Sequence, residues 1–488
     1  MSALLIQHRE NLSETKRKLL ETCLLQGTAG AFKNPAKIGP RPKGEIAPLS
    51  LAQEQIWRRE EMLPGGPPVH NESITIRVNK WLDAAVLQRS FAEIIRRHEI
   101  WRTNYKVTDG QPIQVVHEPS DGFPLRIVDL RAVSQAEQKI EMLKLYTDGV
   151  RQRFDLSDGP LLRAMLVILS DTDQRILVFA HLSILDGISV YQILPAELTS
   201  LYDAFVTGDK SPLAELPIQF ADYAYWQRQW LNSQELTEQL TYWREQLGGE
   251  LPVLQWPSDR PRSGFRAYHG ATRSFALQAA LRGGLKRFSR RQGVTLFTTL
   301  AASLSVLLYC YTRQVDILLG TPSLGARKQS DAQNLLGHFL NPVALRLNLE
   351  GDPSFREVLL HTREVLGNAV SHDDVPPEIL AQNLGLSRSP LFTVAISLQP
   401  QTPETGAGWH VTSMDADSGG TIWDLYVAFI DTPDGVIGRA QYNTDFIKAA
   451  TVTRTLDDLQ ILMKSVVDHP EQRISCLPSQ LPSPEALS

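Results

Sequence analysis

Residues 175–194 read RILVFAHLSILDGISVYQIL: an apolar run into His181, a turn at Asp186-Gly187, then a periodic stretch that continues to Phe205. The run is rich in branched and aromatic side chains, which suits a strand buried in a sheet. The periodic stretch suits a helix, Ser189–Phe205, ending at Gly208. Polar side chains at a strand end beside a helix start are a common setting for a catalytic site. Taken alone, the stretch reads more readily as a satisfied core histidine and a turn or capping aspartate. Its meaning depends on what surrounds it.

Working outward, Leu161–Ser170 is a second apolar strand, joined to Arg175–Ser183 through the hairpin signal Asp171-Thr172-Asp173. Upstream, Leu49–Met62 is an amphipathic helix, Ser73–Val78 an alternating strand, and Asp83 caps a helix running to about Trp101. Pro112–His117 is strand-like and Gln135–Arg153 helical. Downstream come two aromatic-rich helices, Phe220–Leu231 and Leu236–Leu247, and then a second series with the same grammar. There Ala271–Leu277, Asp316–Pro322, Asn341–Leu349, Leu391–Leu398, Trp423–Asp431 and Val436–Tyr442 read as strands, the last two joined by Pro433-Asp434-Gly435. Ala279–Gln292, Thr295–Tyr311, Ser354–Val370 and Thr451–Val467 read as helices. Mixed strands and helices in two similar series predict two α/β sandwiches.

The chain has 488 residues, 42% hydrophobic and 21% charged, with a formal charge of −5. That is ordinary globular composition with enough apolar material for more than one core. The charge gives no electrostatic reason to expect nucleic acid, and no basic block suggests a membrane surface. No apolar run reaches the roughly 18 residues of a membrane span, and the N-terminus lacks a signal-peptide core. Cys23, Cys310 and Cys476 are widely spaced, form no metal-ligand pattern, and suit a reducing compartment. A cytoplasmic monomer is expected.

The neighbouring segments raise the standing of His181–Gly187. H-L-S-I-L-D-G resembles the HHxxxDG signature of condensation domains of nonribosomal peptide synthetases, members of the chloramphenicol-acetyltransferase-like superfamily. Pro48–Trp57 (PLSLAQEQIW) resembles the opening SxAQxxLW helix, and Arg97–Thr103 (RHEIWRT) the RHExLRT segment. Gly320-Thr321-Pro322 with Gly325 and Arg327 is similar to GxPxxGR, and Gly337-His338-Phe339-Leu340-Asn341 to GxFxN. His372–Pro376 is similar to HxDVP, and Ser387–Phe392 to SRxPLF. The resemblance covers roughly residues 48–478.

It implies a V-shaped pair of acetyltransferase-like lobes, residues 48–230 and 231–478, with a tunnel between them. Donor and acceptor carrier proteins, among neighbouring synthase domains, would present substrates on phosphopantetheine arms. No directly bound cofactor and no metal are expected. His181, Asp186, Gly187 and Asn341 are the matched site residues. Asp186 is expected to form a buried pair with Arg327 across the lobes, and Gly187 to serve a close approach or a positive φ. Asn341 either donates to the tunnel contents or serves a strand edge. His98, Arg102, His338, His372, Trp57, Trp226, Trp230 and Trp243 read as structural.

One position departs from the family. Leu182 stands where the catalytic second histidine is expected, and strand alternation puts His181 and Leu182 on opposite faces. A leucine neither accepts nor donates a proton. Three readings follow. The first is a condensation domain acting by proximity, with Asn341, Ser183 or His338 compensating. The second is a silent domain that gates carrier proteins or recruits a partner enzyme. The third is a changed reaction such as cyclisation or dehydration, weakened because cyclising relatives carry Asp where this chain has His181.

At the ends, residues 1–47 read as a helix followed by a Pro/Gly-rich linker from Asn34 to Pro48, and 479–488 as a tail. Asn11–Leu20 resembles the linker helices of hybrid polyketide–peptide assembly lines, or is a plain solvated helix.

Overall fold

The computed structural model describes residues 37–477 apart from 121, 257, 261–266, 386–390, 400–405, 407, 413–416 and 433–434. Two compact units divide at Lys37, and the second, from Ile38 on, holds all the described strands and helices. The expected helix over residues 1–30, Cys23, most of the SRxPLF segment, the turn Pro433-Asp434 and the tail lie outside the described residues.

Two sheets organise the unit. The first has five strands in the order Trp409–Thr412, Asn71–Val78, Asp173–His181, Leu162–Ser170, Arg126–Asp129. The apolar run into His181 is buried on both faces, which explains its lack of polar alternation. Ile176, Val178 and Ala180 enter a core with Leu87 and Phe91 of helix Ala84–Arg97 and Leu198 and Leu201 of helix Leu194–Val206. Leu177 and Phe179 face Met142, Tyr146 and Val150 of helix Gln135–Arg151.

The second sheet has six strands, Asn341–Asn348, Asp316–Ser323, Val394–Gln399, Leu425–Thr432, Gly435–Asn443 and Gly270–Leu277. Its core takes in the apolar helix Leu296–Thr312 together with Phe288, Phe355 and Leu459. A small sheet of Ala47–Pro48, Gln111–Val116 and Thr103–Thr108 completes the fold. Among the described residues no single helix is long and apolar enough to cross a membrane.

Three expectations are corrected. The segment Asn34–Pro48 is not a free linker from Ile38 onward. Ile38 is 1% exposed in the first core, and Arg41 bonds Asp222 at 2.8 Å and Glu99 at 3.2 Å. Pro48 pairs at a sheet edge, where a missing N–H is tolerated. A Pro/Gly-rich stretch can therefore lie against a core held by one buried side chain and an arginine paired to two carboxylates.

The lobe boundary at residue 230/231 is crossed by both the first sheet and the first core. Ala326, Ala332, Leu335, Leu336, Phe339 and Trp409 belong to the first lobe's core, and Trp409–Thr412 pairs with Asn71–Val78. These short segments bury their few apolar side chains on the opposite lobe. The helix expected from Ser189 begins instead as one π turn, Ser189–Ile193, before Leu194–Val206. Such wide turns are common at functional sites.

Candidate active site

The strand ends at His181, and the chain turns at once. Leu182–Ile184 is a short 3-10 turn capped by His181, whose Nδ1 meets the Ser183 hydroxyl at 2.8 Å and accepts from its backbone N–H at 3.4 Å. Leu182 donates its N–H to the His70 carbonyl at 2.8 Å. His181 is thereby held inside the lobe, 2% exposed, while the Leu182 side chain lines a cavity of about 1840 Å³.

Behind His181 lies a cluster that sequence reading missed. The Nδ1–H of His70 donates to Glu60 Oε1 at 2.7 Å, and Arg59 Nη1 donates to His70 Nε2 at 3.2 Å. Arg153 holds the other Glu60 oxygen at 2.8 Å. His181 Nε2 comes within 3.8 Å of Glu60, beyond hydrogen-bond reach, and has no other partner among the described residues. Burial alone would raise the Glu60 carboxyl, but the facing imidazoles of His181 and His70 hold it well below the usual carboxylate range. Burial lowers His70 from 6.5 to about 4, outweighing the pull of Glu60. A neutral His70 donating to an ionised Glu60 satisfies both shifts. Nothing local in the sequence marks this cluster, because Glu60 ends one helix and His70 precedes the next strand. The register Asn71 opposite His181 brings them together.

Asp186 is the hub of the loop. Arg327 grips it with Nε to Oδ2 at 2.7 Å and Nη2 to Oδ1 at 2.9 Å. The backbone N–H groups of Ser189 and Phe339 donate to the same carboxylate at 2.8 and 3.1 Å. Arg327 also donates to Ser189 Oγ at 2.7 Å and to the Gly337 carbonyl at 3.2 Å. Desolvating two charges costs several kcal/mol each, so such a pair is tolerated only when its other bonding capacity is met, as here. Both carboxylate oxygens of Asp186 are engaged, and they join the loop to the segment 327–339.

Gly187 needs correction. Its φ is not positive, and a Cβ there would meet nothing nearer than Gln399 Nε2, at 3.9 Å. It lines the cavity just before the π turn Ser189–Ile193. Asn341 also lines the cavity, but its amide N–H groups donate to the carbonyls of Asp373 and Val375 at 2.7 and 2.9 Å. Ser183 is fully buried with its hydroxyl on His181. His338 lines the cavity with Nδ1 on the Leu185 carbonyl at 3.2 Å. Burial raises the carboxyl of Glu378, on the cavity wall.

The remaining candidates lie in the framework. His98 bonds Glu197 at 3.0 Å and accepts from Leu336 N–H at 3.2 Å. Arg102 donates to the His117 carbonyl. Trp243 is buried with its Nε1–H on the His372 carbonyl at 2.8 Å, and His372 stacks on Tyr242 at 3.8 Å. Trp57 and Trp226 pack on the first core and Trp230 on the second.

A family model described as "Condensation domain" matches residues 43–483. One of the linear gramicidin synthase proteins of Brevibacillus parabrevis is 41% identical over 449 residues, covering 90% of this chain and 9% of that protein. The chain spans only 6–9% of the length of the three linear gramicidin synthase proteins it matches. The first condensation domain of the CDA synthetase superposes with a TM-score of 0.78 at 19% identity, over 89% of this chain and 99% of that one. The X-domain from teicoplanin biosynthesis, solved in complex with OxyB, gives 0.77 at 25% identity, over 92% of this chain and 99% of that one. The fold is the two-lobed, chloramphenicol-acetyltransferase-like one expected from the motifs.

Proposed function

This chain belongs to the condensation-domain family of nonribosomal peptide synthesis, and from that premise we propose that it makes an amide between a carrier-bound acyl thioester and a carrier-bound amine. The observation that carries the reading is the open space beside Leu182. A leucine packed into a collapsed passage would speak for silence. Here Leu182 borders a cavity of about 1840 Å³, larger than the roughly 300–1,000 Å³ of ordinary small-molecule pockets. Two pantetheine arms and their acyl groups require such room.

Magnitudes favour activity. General base catalysis contributes about 10²–10⁴-fold, or roughly 3–5 kcal/mol. Holding two tethered reactants in line contributes about 7–11 kcal/mol. Loss of the histidine at position 182 therefore removes the smaller share. Amide formation from a thioester changes no oxidation state, so the proposed reaction calls on no redox cofactor. The partners proposed are a donor and an acceptor carrier protein.

The test is intact-protein mass spectrometry of the acceptor carrier after mixing with loaded donor carrier and this chain. Amide on the acceptor supports the reading. A second reading, a silent domain that recruits a partner enzyme, draws on Leu182 and on the likeness to a domain solved with OxyB. It is supported if the native chain gives no amide while Leu182→His does.

A further inference from the structure

The sequence offers Ser183, Asn341 and His338 to compensate for Leu182, and the geometry separates them. The Ser183 hydroxyl is committed to His181 and fully buried. The Asn341 N–H groups are committed to two backbone carbonyls, and an amide is no base. His338 differs. A carbonyl oxygen can only accept, so the contact between its Nδ1 and the Leu185 carbonyl at 3.2 Å fixes the proton on Nδ1. The lone pair is then on Nε2, which has no protein partner among the described residues, and the ring lines the cavity that Leu182 and Gly187 also line. Backbone on both sides is pinned to the Asp186 hub. Phe339 N–H donates to Asp186, and Gly337 exchanges hydrogen bonds with Ser189 and accepts from Arg327.

Resting on the condensation reading above, we infer that His338 is the proton acceptor of this site, its Nε2 taking the proton of the attacking amine that no side chain at position 182 can take. In the step, the amine nitrogen bonds to the thioester carbonyl carbon and the carbon–sulfur bond breaks. The amine proton passes to Nε2 and from there to the departing pantetheine sulfur, so the site returns to its starting state. The charged and titratable groups facing His338 are Asp186 on the motif loop, Arg327 on the turn Gly325–Lys328, and His181 at the strand end. Burial lowers the imidazole from its ordinary value, opposed by Asp186 and the Leu185 bond and aided by Arg327 and His181. The ring is therefore in its neutral, accepting form at neutral pH.

The sequence offered His338 beside Asn341 and Ser183 to compensate for Leu182 and did not separate the three. The GxFxN segment drew attention to its asparagine, and His338 read as structural. Its role comes from the loop Leu182–Leu185, which turns a carbonyl toward Nδ1, and from the absence of a competing histidine at 182.

The experiment uses the full chain under single-turnover conditions. The donor carrier is loaded with N-acetylglycyl, N-acetylalanyl or N-acetylphenylalanyl thioester, and the acceptor carrier with glycine, alanine or phenylalanine. Amide is read by intact-protein mass spectrometry for the native chain, His338→Gln, Leu182→His and the double variant. Gln keeps a donor for the Leu185 carbonyl but is not a base. The expected result is a loss of about 10²-fold or more in His338→Gln. The double variant should recover at least about tenfold of that loss, because a second imidazole restores the base. Leu182→His alone should change the native rate less than about tenfold, since a base is already present. If His338→Gln keeps the native rate, or if its loss is not recovered in the double variant, the inference is overturned. If the native chain yields no amide from any pair, the condensation reading itself fails, and this proposal with it.

Discussion

Arg327 holds both carboxylate oxygens of Asp186, at 2.7 and 2.9 Å, across 141 positions of sequence. Neither side chain is more than 2% exposed. The pair fastens the motif loop of the first lobe to a segment that follows the second sheet's strand Asp316–Ser323. Removing one partner leaves an uncompensated buried charge, which typically costs about 3–5 kcal/mol. Arg327→Ala should therefore lower the unfolding free energy by that amount in urea titration. Arg327→Lys should fall between, because an ammonium cannot grip two oxygens at once. An unchanged midpoint for Arg327→Ala contradicts this account.

Acceptor choice follows from a weakly basic site. An α-amino group has a reference pKa near 8, so roughly a tenth is neutral at pH 7 without help. A hydroxyl must be deprotonated during attack. Matched amine and alcohol acceptors on the same carrier should differ by at least about 10²-fold in favour of the amine. Equal rates would count against a site whose acceptor is a single, lowered imidazole.

The Glu60–His70–His181 cluster makes stability depend on acid. His70 is lowered from 6.5 to about 4, so the folded state stays unprotonated where the unfolded chain takes a proton. Its contribution is complete above about pH 6.5 and is lost as pH falls toward 4. Glu60, held below its ordinary range, adds a second loss below about pH 4.5 with the same sign. From pH 7 to pH 5 the His70 share is about 2 kcal/mol. Chemical denaturation at those two pH values should show that drop in the native chain and a shallower one in His70→Asn. Parallel declines would rule the assignment out.

Gly337 tests the packing of the crossing segment. Its φ is +151°, and a Cβ there would run into the Phe220 ring. Phe220 is itself clamped against Phe339 and Tyr223. Gly337→Ala should destabilise by about 1–3 kcal/mol through overpacking. It should also slow amide formation, because His338 follows directly. A thermal midpoint equal to the native one would show the ring free to move.

Much of the fold was legible from residue patterns. The strands on either side of Asp171-Thr172-Asp173 were readable because both faces of their sheet are buried, and the helix over 279–292 because its apolar residues recur at helical spacing. The motif segments gave the loop and the partners Asp186 and Arg327. What escaped was non-local. Trp409–Thr412 has only four residues, and its strand character comes from the edge of Asn71–Val78. Glu60 and His70 carry no pattern until strand register sets them beside His181. His338 could not be separated from Asn341 and Ser183 because the bond that orients it comes from Leu185, a residue on the motif loop distant in sequence.

The strand Trp409–Thr412 has a practical corollary for chimeras. A hybrid joined near residue 230 would put one parent's Asn71–Val78 edge against another parent's Trp409, and one parent's Tyr202 against a foreign indole, now paired at 5.7 Å. The segment 325–339 would be mismatched with the motif loop in the same way. A graft that respects this architecture must carry residues 325–339 and 409–412 with the donor's first half, so the exchangeable unit in space is discontinuous in sequence.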